Sequence, residues 1–85
     1  MNWTFPEIKT TRDMKERSDK VNDEVTEYLE ATTPEERDKE AVDIYHAAET
    51  HLRGQFKGRE DVLDRVVAST IKKNDDRNYY TKDCF

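Results

Sequence analysis

Apolar residues are sparse along this chain, and they recur at helical rather than strand spacing. Met14, Val21, Val25, Tyr28 and Leu29 share one face of a 3.6-residue repeat, so residues 12–31 are predicted to form a first helix whose stripe strengthens toward its C-terminal half. Ala41, Ile44, Tyr45, Ala48 and Leu52 make a second stripe; Leu63, Val66, Val67, Thr70 and Ile71 make a third. Thr33-Pro34-Glu35-Glu36 is a strong start signal, with threonine as N-cap, proline at N1 and a glutamate at N3 to close a capping box. The second helix is therefore predicted over residues 34–53, with His51 and Arg53 in its last turn and Gly54 in the left-handed position beyond it. Residues 54–58 read as a loop with Phe56 folding back onto the core, and residues 60–73 as the third helix. Residues 1–11 read as an irregular arm holding Trp3 and Phe5, residues 12–73 as the helical domain and residues 74–85 as a C-terminal tail. The expected fold class is all-α, a helical hairpin plus a third helix.

Composition adds a constraint on assembly. Leu, Ile, Val and Phe together make up under one fifth of the 85 residues, while 41% are charged with a net charge of only −5. A chain so short and so thinly supplied with apolar side chains is expected to complete its helix bundle by self-association, as a homodimer or homotetramer. No apolar run approaches the roughly 18 residues of a membrane span, and no secretory leader pattern opens the sequence, so no membrane association and a cytoplasmic location are expected. The single cysteine, Cys84, has no internal partner, in keeping with a reducing compartment. Fifteen basic residues against 20 acidic ones, with no basic stripe, argue against direct nucleic-acid binding. There is no Cys/His zinc set, P-loop or dinucleotide fingerprint, so any phosphate chemistry must use metal and side chains.

The acidic residues supply a candidate for that chemistry. Glu24 and Glu27 lie three apart on the first helix, Glu40 and Asp43 three apart on the second, and both pairs fall beside their apolar stripes in the same rotational sense. A short Thr32-Thr33 connection would make the helices an antiparallel hairpin and bring the pairs together. Four converging carboxylates repel one another unless a cation sits among them, and all-oxygen ligation points to Mg²⁺, with Mn²⁺ as the alternative. The same spacing recurs at Glu16/Asp19, Glu27/Glu30, Glu35/Asp38 and Asp61/Asp64, as a solvated acidic face would produce. Placement at the stripe edge on both arms of one hairpin, with small Ala47 one turn past Asp43, distinguishes Glu24, Glu27, Glu40 and Asp43.

These residues resemble the all-α nucleoside triphosphate pyrophosphohydrolases, the MazG-like proteins and their relatives. The shared pattern is Glu24-Val25-Thr26-Glu27, then Glu40-Ala41-Val42-Asp43, then the basic, amide-bearing and aromatic segment from Lys73 to Tyr80, and it spans roughly residues 20–80. Members often carry glycine after the tail arginine, where this chain has Asn78. The resemblance implies a Mg²⁺-dependent enzyme that splits a nucleoside triphosphate into nucleoside monophosphate and pyrophosphate. Glu24, Glu27, Glu40 and Asp43 would ligate metal, and Glu24 or Glu27 would orient the attacking water. Lys73, Asn74 and Arg77 would meet the phosphates, and Tyr80, Tyr79 or Trp3 would stack on the base. Small size suggests a phage setting.

Plainer roles compete with several of these. Lys72 and Lys73 complement the dipole at a helix C-terminus, Trp3 serves as a core plug, and His46 and His51, five apart, do not share the face a helical metal pair needs. The alternative for the whole chain is a non-catalytic acidic helical protein that binds a basic protein partner.

Overall fold

The structure, a computed structural model, describes residues 2–9 and 13–81; Arg12, proposed as the first helical residue, and Cys84 lie outside that range. The described residues are all-helical with no strand: α1 (Met14–Glu30), α2 (Pro34–Gln55) and α3 (Glu60–Asp76), preceded by an irregular arm. No described helix is long and apolar enough to cross a membrane.

The start of α2 follows from local chemistry. Thr33 Oγ1 accepts from the Glu36 amide at 3.1 Å, while the Glu36 carboxylate accepts from the amide of Thr32, one residue before the usual capping-box donor, also at 3.1 Å. Asp13 caps α1 by accepting from the Lys15 amide. The helix ends depart from expectation. Gly54 does not terminate α2 but lies inside its last turn, and the left-handed glycine is Gly58, at φ 76°. The left-handed C-terminal residue is instead Asn78 of α3, at φ 59°. There the Tyr79 amide donates to the Asn74 carbonyl at 3.0 Å and the Asn78 amide to the Asp75 carbonyl at 2.9 Å, the two bonds of a Schellman closure. This closure carries α3 three residues beyond the expected end at Lys73, so Asn74 is helical.

Gly54 is needed for a different reason. Arg17 of α1 is buried and runs across it, so that a Cβ there would lie 2.8 Å from the guanidinium carbon. Arg17 also donates to the Gln55 side chain at 3.4 Å. The two helices are antiparallel, and the register that sets Arg17 over Gly54 also sets Glu24, seven residues on, level with Ala47, seven residues back. Ala47 and Glu24 are both buried. Gly54 on α2 thus acts as a socket for the long polar side chain of Arg17. As a result the buried residues of α1 are Arg17 and Glu24, while Tyr28 and Leu29 of the expected stripe are exposed, Leu29 at 75%.

Only Ala47 and Leu63 are fully buried hydrophobic residues among those described. Leu63 roots α3 near its start, whereas Val66, Val67 and Ile71, expected in the core, stay exposed. The accessible surface is 6824 Å², against roughly 5,300 Å² for a compact monomer of this size. The radius of gyration is 14.9 Å, against roughly 12 Å.

The arm supplies much of the remaining packing. The buried Glu49 carboxylate accepts from the amides of Thr4 at 3.0 Å and Phe5 at 2.7 Å. Thr50 Oγ1 accepts from the Ile8 amide, Arg53 donates to the Phe5 carbonyl, and His46 Nε2 donates to the Pro6 carbonyl at 2.8 Å. Phe5 stacks on His46 with ring centres 4.5 Å apart and meets Tyr45 edge-on. Trp3 donates to Glu60 across 3.3 Å beneath the Arg53 guanidinium, so it ties the arm to α2 and α3. Burial pushes the Glu49 carboxyl up, but the Phe5 and Thr4 amides, the Thr4 hydroxyl and the Arg53 charge together outweigh it and hold the group below the ordinary range.

Two outcomes are expected. Gly54→Ala gains helix propensity but crowds buried Arg17, for a net loss of about 1 kcal/mol in urea unfolding, and in an Arg17→Met background it becomes stabilising. Glu49→Gln costs about 1–3 kcal/mol at neutral pH because one arm amide loses its acceptor. With a depressed pKa, the wild-type Glu49 contribution is present above the ordinary carboxylate value and lost as pH falls through the depressed one, so the variant's acid-side decline in stability should be shallower.

Candidate functional site

The seam between α1 and α2 places carboxylates where a hairpin of this type would place apolar side chains. Glu24 of α1 and Glu40 and Asp43 of α2 each offer an oxygen, and these oxygens lie within 4.8 Å of one another. Glu24 is buried, Glu40 half-buried and Asp43 exposed, so the cluster runs from the seam out to solvent. Glu27, one turn beyond Glu24, is exposed and feels the charge of both Glu24 and Glu40. Three of the four residues singled out from the sequence, Glu24, Glu40 and Asp43, therefore meet at one place, and Glu27 lies outside that group.

Their electrostatics are unbalanced. Lys20, one turn before Glu24, donates to its Oε1 at 2.8 Å, but Oε2 of Glu24 and Oε2 of Glu40 are buried without any donor. The Lys20 hydrogen bond, opposed by burial and assisted by Glu27, Lys20's charge and that of His46, holds the Glu24 carboxyl below the ordinary carboxylate range. Glu27 is held above it, first by its hydrogen bond to Glu24, then by the charge of Glu24, burial, and the bond and charge of Glu40. A divalent ion would supply the positive charge that both orphaned oxygens lack. The donor set, carboxylate oxygens alone, fits Mg²⁺ or Mn²⁺.

The remaining predicted residues are elsewhere. Lys73 and Asn74 occupy the last turn of α3, Arg77 caps it, and Tyr80 follows, 43% exposed. Arg77 lies over the Tyr79 ring at 6.0 Å. No hydrogen bond or ion pair among the described residues connects Lys73, Asn74, Arg77 or Tyr80 with the four carboxylates, and α3 meets the hairpin far less than α1 and α2 meet each other. Trp3, half-buried, is held by Glu60 and has the Arg53 guanidinium over its ring. Lys20 is the site residue that sequence reasoning missed; its position four before Glu24 on a helix was the available signal.

No protein-family model matches the chain, and neither a curated protein nor a solved structure matches it.

The raised and lowered carboxyls give opposite pH effects. Glu27 contributes stability below its ordinary pKa, and this is lost as pH rises through its raised value; Glu24 contributes above its ordinary pKa, and this is lost as pH falls through its depressed value. In metal-free buffer, wild-type protein should therefore lose stability on the alkaline side of the ordinary carboxylate pKa. Glu27→Gln should remove that decline, as read from thermal midpoints across pH.

Proposed function

We propose that this protein is a Mg²⁺-dependent nucleoside triphosphate pyrophosphohydrolase that releases nucleoside monophosphate and pyrophosphate. The observation that carries the reading is the convergence of Glu24, Glu40 and Asp43, with two buried carboxylate oxygens lacking a donor. Such an arrangement is poorly explained as a solvated acidic face, because solvent would reach those oxygens. The resemblance of Glu24-x-x-Glu27 and Glu40-x-x-Asp43 to the MazG-like pattern supports the same chemistry.

In this reading Glu24, Glu40 and Asp43 hold the ion and Glu27 completes the set. Mg²⁺ held by these residues would supply a positive field for the triphosphate and Lewis-acid chemistry at the phosphoryl group. Glu27 is exposed at the solvent side of the cluster, so it would orient the water that attacks the α-phosphorus and take its proton. Buried Glu24 is the fixed ligand. Lys73, Asn74 and Arg77 offset charge on the leaving pyrophosphate, and Tyr80 stacks on the base.

These last contacts require a second chain. The extended shape, the surface in excess of that of a compact monomer, and the exposed Leu29, Val42, Val66 and Ile71 all support a homodimer or homotetramer in which α3 packs on a neighbouring hairpin.

The test is incubation with a panel of ribo- and deoxynucleoside triphosphates and Mg²⁺. Monophosphate and pyrophosphate should appear, and Glu24→Gln or Asp43→Asn should lower kcat/KM by about 100-fold or more. Millimolar Mg²⁺ should also raise the wild-type thermal midpoint. Release of orthophosphate and diphosphate would refute the point of attack. An acidic module for a basic protein partner would show neither turnover nor metal stabilisation.

A further inference from the structure

Among the described residues, ion pairs join several residues four apart on these helices, and three of them are ordinary surface pairs. Lys15–Asp19, Arg65–Asp61 and Lys72–Asp76 have both partners well over half exposed. Lys20–Glu24 differs, with the lysine side chain 42% exposed and the glutamate only 8%. Its ammonium sits on Oε1 of the carboxylate that clusters with Glu40 and Asp43, and whose Oε2 is buried and unsatisfied. An ammonium on one oxygen and a dication on the other would share a single carboxylate, and their like charges would face each other across a few ångströms of poorly screened seam.

We infer that Lys20 is a tethered counter-ion of the carboxylate cluster, which neutralises Glu24 in the metal-free protein and must leave it when a divalent cation binds. Lys20 thereby sets the metal concentration at which the site fills. The inference rests on the metal-binding reading above and adds a residue and a regulatory consequence to it. It also accounts for how a buried carboxylate can persist in a folded metal-free chain: leaving it ionised without a partner is costly, and a lysine one helical turn away is the nearest available cation. The bond to Glu24 also raises the Lys20 pKa, so the lysine stays charged throughout the neutral range.

Calorimetric titration of the full chain with MgCl₂ tests this. Lys20→Met should bind Mg²⁺ about five- to tenfold more tightly than wild type, Lys20→Arg should stay near wild type because the competing charge is kept, and Lys15→Met should change nothing. If wild type binds Mg²⁺ and Lys20→Met binds it equally or less tightly, the counter-ion role is wrong while the metal site stands. If neither binds, the metal site itself fails, and this inference with it. Because Lys20→Met leaves Glu24 without its partner and could unfold the hairpin, a second measurement uses wild-type protein alone. The acylation rate of the Lys20 amine, compared with that of Lys15, should rise severalfold when saturating Mg²⁺ is added. An unchanged ratio under conditions where Mg²⁺ demonstrably binds would overturn the inference.

Discussion

A carboxylate taken out of water needs a compensating charge or donor, and in this protein that need is located in the seam of a two-helix hairpin. Glu24 is buried, reaches Lys20 with one oxygen and clusters with Glu40 and Asp43. Most of the chain's unusual features follow from giving the seam to charged groups. Apolar side chains are displaced outward, the core shrinks to Ala47 and Leu63, and α3 is left with an uncovered face. Burying ionised groups in this way contributes little net stability compared with hydrophobic packing, so such a seam is easier to understand as a site than as a support.

The arm and the seam divide the work of α2. One side of the helix carries Glu40 and Ala47 toward α1; another carries Tyr45, His46, Glu49, Thr50 and Arg53 toward the arm. His46 belongs to the arm side, its ring stacked under Phe5. The arm therefore steadies the helix that positions two of the four carboxylates.

Much of this was legible in the residues. Thr33-Pro34-Glu35-Glu36 located the start of α2 because capping is local chemistry, and Glu24 met Glu40 and Asp43 because a three-residue connection leaves an antiparallel hairpin little choice. The missed features depend on partners distant in sequence. Gly54 reads as a terminator until Arg17 is laid over it, and Asn78 reads as a departure from a glycine until its φ of 59° shows it in the conformation that glycine would take. The stripe on α1 was right only at half-buried Val21 and Val25, because a hydrophobicity count cannot see that Gly54 makes a socket for the longer polar side chain of Arg17. Glu49 carried no signal at all, since its partners are main-chain amides.

That last point governs which changes the arm can absorb over evolutionary time. Its clasp draws on the backbone of residues 4, 5 and 8 as donors and on that of residues 5 and 6 as acceptors, so exchange of many side chains there leaves the clasp intact. What it cannot accept is an imino acid at a donor position. The only one in the segment, Pro6, stands where the clasp uses nothing but a carbonyl, and moving it one place earlier would delete the shortest bond to Glu49.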